Sequence, residues 1–211
     1  MLKKIINFAK QCLKVILKLY KMQNLTMFLN FKNFNNLSVY KKGLISDFGD
    51  ELVPLSEIVK ILKANQEDVL VSIGDLNGFY SMILGKYVKE IHVIIQEDLW
   101  FEYVKKLSLK FGMRNVIPHK EDPCQITNFE NYTKFFIKTR GISLTCMINV
   151  SKKLGEKNTI KTGLILGTRS PPFFNSNDLS KDSVIELFKS SGFTRITEID
   201  FRYHYALLAV K

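Results

Sequence analysis

Residues 69–122 limit the possible folds of this chain more than any other stretch. VLVSIGDLNGFYSMI, from Val69 to Ile83, is an apolar strand pattern that enters a glycine-containing turn and continues as a helix. IHVIIQED (Ile91–Asp98) is a second strand ending at polar residues, and a helix then leads to GMRNVIPHKED (Gly112–Asp122), which ends on acids. That order and spacing suit one half of a doubly wound α/β domain that cradles a nucleoside at the carboxyl ends of its strands.

The flanking residues extend the pattern. Pro54 opens a helix with apolar positions Leu55, Ile58, Val59 and Leu62. Strands are expected at Val69–Ile73, Ile91–Ile95, from Val116, at Lys134–Thr139 and at Thr162–Leu166. Helices are expected from Gly78 to Lys86, over Leu99–Phe111 with Gly112 as C′ residue, over Ser143–Leu154, and from a Ser180 cap through Lys189 with Gly192 closing it. Arg195–Asp200 and Tyr203–Val210 lie two residues apart and read as an antiparallel pair. Strands alternating with helices and then a terminal hairpin predict a Rossmann-like, mostly parallel sheet with an antiparallel C-terminal strand.

The chain has 211 residues, enough for one domain with a full core. Its net charge of +11 is unevenly placed: residues 1–42 hold nine lysines and no acid, leaving 11 − 9 = +2 for the rest. Basicity therefore belongs to an N-terminal arm and not to the fold. In that arm Leu2, Ile5, Ile6, Ala9, Cys12, Leu13, Ile16, Leu17 and Tyr20 recur at helical spacing with lysines opposite. Such a helix packs on the domain or a partner, lies on an anionic membrane surface, or directs organelle import; the lack of arginine counts against the last. We divide the chain into residues 1–49, the basic helix and connector, and 50–211, the α/β domain. Cys12, Cys124 and Cys146 are far apart, with no CxxC or Cys/His cluster, so neither a zinc site nor a disulfide framework is expected. No apolar stretch reaches the ~18 residues needed to span a bilayer. An intracellular, cytoplasmic protein is expected, with peripheral membrane association left open.

These residues resemble the class I S-adenosylmethionine-dependent methyltransferases, most closely the ubiquinone/menaquinone-biosynthesis-like (type 11) branch, over about residues 52–211. SIGDLNGFYS stands where that family has an acid-x-Gly-x-Gly-x-Gly turn. FEYVKKLSLKFGMRNV (Phe101–Val116) has its spacing from second strand to third, Glu121–Asp122 falls where it keeps an acid near the adenine, and Ser180–Lys211 looks like its last helix and closing hairpin. The resemblance implies S-adenosylmethionine as cofactor, with Ser72, Gly74, Asp75, Asn77, Gly78, Gln96, Glu97 and Asp122 as its contacts. Three positions depart from the pattern. Ser72 replaces the opening acid, Leu76 the middle glycine, and Ile95 the acid that holds the ribose hydroxyls. Losing the partner of a buried polar group costs ~1–3 kcal/mol. A shift of two residues puts Glu97 at the ribose instead. Leu76 decides access: its side chain either fills the adenosyl position or turns into the sheet.

Other chemistry is sparse. His92, inside a strand, and His204, inside the closing hairpin, read as packed or surface histidines. His119, with Lys120 and Glu121 beside it, lies nearer the mouth and is the one histidine to consider as general base. Cys124 has no activating partner in the sequence, and Cys146 reads as core. Pro171–Phe174 follows the fifth strand as a pocket-lining or covering loop. Two functions fit: methyl transfer to a small molecule or lipid, and a catalytically inactive methyltransferase-like module that binds a membrane, RNA or protein through residues 1–42.

Overall fold

The computed structural model describes residues 55–211 apart from 127, 130, 169–178 and 202–203. The expectations for the basic arm, the 49/50 boundary, Pro54, Pro171–Phe174 and Tyr203 fall outside the described residues. The chain order is α1 (Leu55–Leu62), β1 (Val69–Ile73), α2 (Phe79–Leu84), β2 (Glu90–Ile95), α3 (Asp98–Lys110), β3 (Val116–Lys120), β4 (Lys134–Lys138), α4 (Leu144–Glu156), β5 (Thr162–Thr168), α5 (Lys181–Ser190), β6 (Arg195–Asp200) and β7 (His204–Val210).

The strands form one seven-stranded sheet in the order β3-β2-β1-β4-β5-β7-β6. β1 to β5 are parallel, and β7 runs antiparallel between β5 and β6. This is the class I methyltransferase topology with its reversed C-terminal strand. Strands β1, β2 and β4 are buried on both faces, so they read as continuous apolar runs. One face, with Val71, Ile73, Phe135, Ile137, Ile165 and Leu207, packs on Cys146, Met147, Val150 and Leu154 of α4 and on Val184 and Phe188 of α5. The opposite face meets α2, where Tyr80 packs on Phe136 of β4 at 5.3 Å between ring centroids. Two caps expected from sequence are made. The Ser143 hydroxyl accepts from the Cys146 N–H and the Ser180 hydroxyl from the Ser183 N–H, each answering an orphan donor of its helix. Gly112 (φ 64) and Gly192 (φ 95) take the left-handed conformation just past α3 and α5.

The cysteine expectation is corrected. Cys124 and Cys146, 22 residues apart, form a disulfide. It ties the β3–β4 connection to the first turn of α4, and neither sulfur is a thiol. Sequence spacing carried no sign of it, because the pairing depends on a connection crossing the sheet to lie over α4.

That connection is itself unusual. Residues 121–133 cross from β3 to β4 with no helix among the described residues, whereas the other parallel connections contain one. Three anchors hold this strap: the disulfide, the fully buried Phe129 in the core, and a Lys153 Nζ donor on the Ile126 carbonyl at 2.6 Å.

Candidate functional site

The strand order reverses between β1 and β4, so the loops leaving their carboxyl ends diverge and open a crevice. One wall is the Gly74–Gly78 turn and the other is the segment after Lys138. Gly74 has φ +78, and a Cβ on it would lie 2.2 Å from the Lys138 carbonyl oxygen. At Gly78, φ +66, a Cβ would lie 2.7 Å from a methyl of Val104 on α3. The protein's own packing thus requires both glycines, whatever ligand the crevice takes.

The polar residues of the turn face inward. Asp75 is fully buried, and its Oδ2 accepts from the Ser81 N–H at 2.8 Å and the Ser81 hydroxyl at 2.6 Å. Ser72 Oγ lies 2.9 Å from Ser81 Oγ. The Ser81 hydroxyl has one proton for its two acceptors, Asp75 Oδ2 and Ser72 Oγ, and the shorter contact is to the carboxylate. This chain explains a serine and a carboxylate inside an apolar strand-to-helix joint. Asn77 Oδ1 accepts from the Phe79 N–H at 3.1 Å and so holds the start of α2.

Leu76 does not turn into the sheet: at 36% exposure it stands at the surface. Ile95 is fully buried at the end of β2. Gln96 and Glu97, the next two residues, are exposed at the same carboxyl edge. Glu97 occupies the N-cap position of α3, yet its side chain makes no capping hydrogen bond. Asp122 spends one carboxylate oxygen on the Cys124 N–H at 2.9 Å, and its carbonyl accepts from the Gln125 N–H at 2.9 Å; it is a turn residue at the end of β3. At the end of β4 the Thr139 hydroxyl is buried with no hydrogen-bond partner among the described residues.

The histidines are arranged as the sequence did not foretell. Pairing of Ile94 with His119 and of His92 with Ile117 puts both rings on one sheet face. His92 Nδ1 lies 2.8 Å from His119 Nε2. Glu90 Oε2 is 3.4 Å from His92 Nε2, and Glu121 Oε1 is 4.0 Å from His119 Nδ1. The row Glu90–His92–His119–Glu121 therefore spans β2 and β3. His119 lies two strands from β1, roughly 10 Å by strand spacing, so it is not brought beside the Gly74–Gly78 turn. No group of three His, Cys, Asp or Glu side chains converges on a metal position among the described residues. Strand parity and register would have found the pair, but register was not readable from one sequence.

Burial holds the His92 pKa below its ordinary value of 6.5, and the charge of His119 adds to this, while the Glu90 hydrogen bond and charge oppose both. The unfolded chain then binds the proton more readily than the folded one. Folding stability is unaffected by His92 above 6.5 and falls as pH drops through 6.5 toward the folded value. We expect His92→Gln to lose less thermal stability than the parent between about pH 7.5 and pH 5.5. Equal losses in a differential scanning calorimeter would disprove the assignment.

No family model matches the chain, and no curated protein matches it in sequence. Solved structures match its fold. An S-adenosylmethionine-dependent methyltransferase from Aquifex aeolicus superposes with a TM-score of 0.65 at 17% identity, over 82% of this chain and 96% of that one. An rRNA methylase from Streptococcus thermophilus gives 0.59 at 13%, over 76% and 97%. The cyclase SpnF gives 0.63 at 8%, over 74% and 79%. The chain therefore has the class I methyltransferase fold. Because a cyclase shares it, the fold alone does not set the reaction.

Against S-adenosylmethionine, the residues divide by position. For the adenosine end, Gln96, Glu97 and Asp122 stand at the ends of β2 and β3 with oxygen acceptors for hydroxyl and amino groups. For the amino-acid end, Ser72, Asp75 and Asn77 have committed polar atoms to α2, and the orphaned Thr139 hydroxyl stands at the end of β4.

Proposed function

We propose that the chain is an S-adenosylmethionine-dependent methyltransferase whose adenosine contacts have moved two residues along β2, from Ile95 to Glu97. The observation that carries this reading is Glu97, an exposed carboxylate at an N-cap it does not cap, at the carboxyl edge of the sheet, where open α/β sheets generally bind ligands. When bound, the cofactor supplies an electrophilic methyl group on a sulfonium. Glu97 and Gln96 hold the ribose hydroxyls, Asp122 the adenine edge, and the Gly74–Gly78 backbone shapes the crevice floor. Positioning two reactants is most of the work in such a transfer and requires few acid–base groups. For the acceptor, Leu76, Leu99 and Leu144 are exposed on the segments that follow β1, β2 and β4. That apolar rim favours a small molecule or lipid with an apolar body.

Calorimetric titration with S-adenosylhomocysteine tests the reading. Binding at ~100 μM or tighter is expected, with Glu97→Ala weakening it about tenfold or more, as for loss of hydrogen bonds to a charged group. No binding to the folded parent overturns it.

A second reading has its own observation. The Ser72–Ser81–Asp75 chain and the packed Ile95 occupy positions where this fold otherwise contacts the cofactor, which favours a non-catalytic module. In that case residues 1–42 supply the contact, to an anionic membrane or RNA, and S-adenosylhomocysteine does not bind.

A further inference from the structure

We propose that the cleft between the β2–β3 sheet face and the 121–133 strap is a second binding site, adjoining the proposed cofactor position at Asp122, which takes a small organic cation of the ammonium or guanidinium class. Its cavity is about 540 Å³, lined by His92, His119, Glu121, Asp122, Gln125, Ile126, Asn128, Asn131 and Tyr132. That volume lies within the range of small-molecule sites. It exists because the described residues of the strap form no helix and the sheet beneath it carries imidazoles where neighbouring β1 and β4 carry Val71, Ile73, Phe135 and Ile137. The disulfide, Phe129 and Lys153 hold the strap in place, so the cleft is preformed and a ligand pays little to order it.

The lining decides the ligand's charge. Among the described residues it contains two carboxylates and no lysine or arginine, in a chain where Lys and Arg outnumber Asp and Glu 31 to 20. Amide oxygens of Gln125 and Asn131 add acceptors for N–H donors. Tyr132 packs against the His92 ring at 5.1 Å, giving an aromatic wall to which a cation is attracted. Burial and the nearby Glu121 charge both raise the Tyr132 pKa, so the phenol stays neutral.

The histidine pair makes the site pH-dependent. The titratable groups facing it are Glu90 on β2, and Glu121, Asp122 and Tyr132 on the strap. At 2.8 Å the facing nitrogens share one proton, with one ring donating and the other accepting. A further proton goes to the outer nitrogen of the donor ring, keeps that bond and puts positive charge into the wall. Cation affinity is therefore present when the pair is neutral and falls as acid protonates it.

Agmatine is the probe, followed by the histidine ring resonances of the full chain in NMR at about 0.15 M salt. The expected result is saturable shifts of both His92 and His119 resonances with Kd near or below ~1 mM. Affinity should weaken several-fold in Glu121→Gln and as pH is lowered through the histidine titration. Glutarate, of opposite charge, should not compete. Absence of histidine shifts, or shifts unaltered by Glu121→Gln and by pH, overturns the proposal. S-adenosylhomocysteine binding is measured separately, so either result can fail without the other.

Discussion

Gly74→Ala should destabilise the domain by about 3 kcal/mol or more, even with no ligand present. Two terms add. Alanine at a left-handed φ of +78 costs roughly 1–2 kcal/mol. The new methyl must also displace the Lys138 backbone carbonyl, because 2.2 Å is far inside contact distance and the partner is backbone in a central strand. For a domain of this size that corresponds to a melting point lower by roughly 6–12 °C. Gly78→Ala should cost less, since its obstacle is the Val104 side chain. A Gly74→Ala protein melting within a degree or two of the parent would show that the turn's glycine serves a ligand and not the sheet.

Cys124→Ser should cost about 3 kcal/mol under oxidising conditions. A cross-link over a separation of 22 residues removes that much loop-closure entropy from the unfolded chain. Reduction of the parent with a dithiol should produce the same loss, and the variant should be insensitive to it. Chemical denaturation with and without reductant measures both. If the parent is as stable reduced as oxidised, the strap is held by Phe129 and Lys153 alone. The loss should be accompanied by faster amide exchange in residues 121–133, because the bond holds the strap and not the sheet.

Much of the architecture could be read from the residues, for reasons that individual elements make plain. β1 and β2 are short apolar runs too brief for buried helices, and α4 and α5 begin at serines whose hydroxyls are used as caps. The hairpin of β6 and β7 followed from two runs separated by a short turn. These are local signals, carried by the spacing of apolar residues and by side chains that bond their own backbone. The boundaries moved by a residue or two, as at α3, which begins at Asp98 and not Leu99.

The site was less legible. Asp75 and Asn77 have polar side chains in a ligand-binding turn, yet both point into the protein, because α2 begins so close that its own N–H groups take their oxygens. The direction of a side chain in a turn depends on what packs beside it, and spacing does not encode that.

By itself, then, the sequence determined the order of strands and helices, the mostly parallel sheet and the glycine turn of residues 69–122. Those follow from periodicity and backbone preference along the chain. Only the tertiary structure decided that Gly74 answers to Lys138, that Cys124 and Cys146 are joined, and that His92 and His119 face each other across two strands. Each of these depends on residues 22 to 64 positions apart meeting in space. Such meetings are set by register and by the path of the β3–β4 strap, and no local pattern in the chain records either.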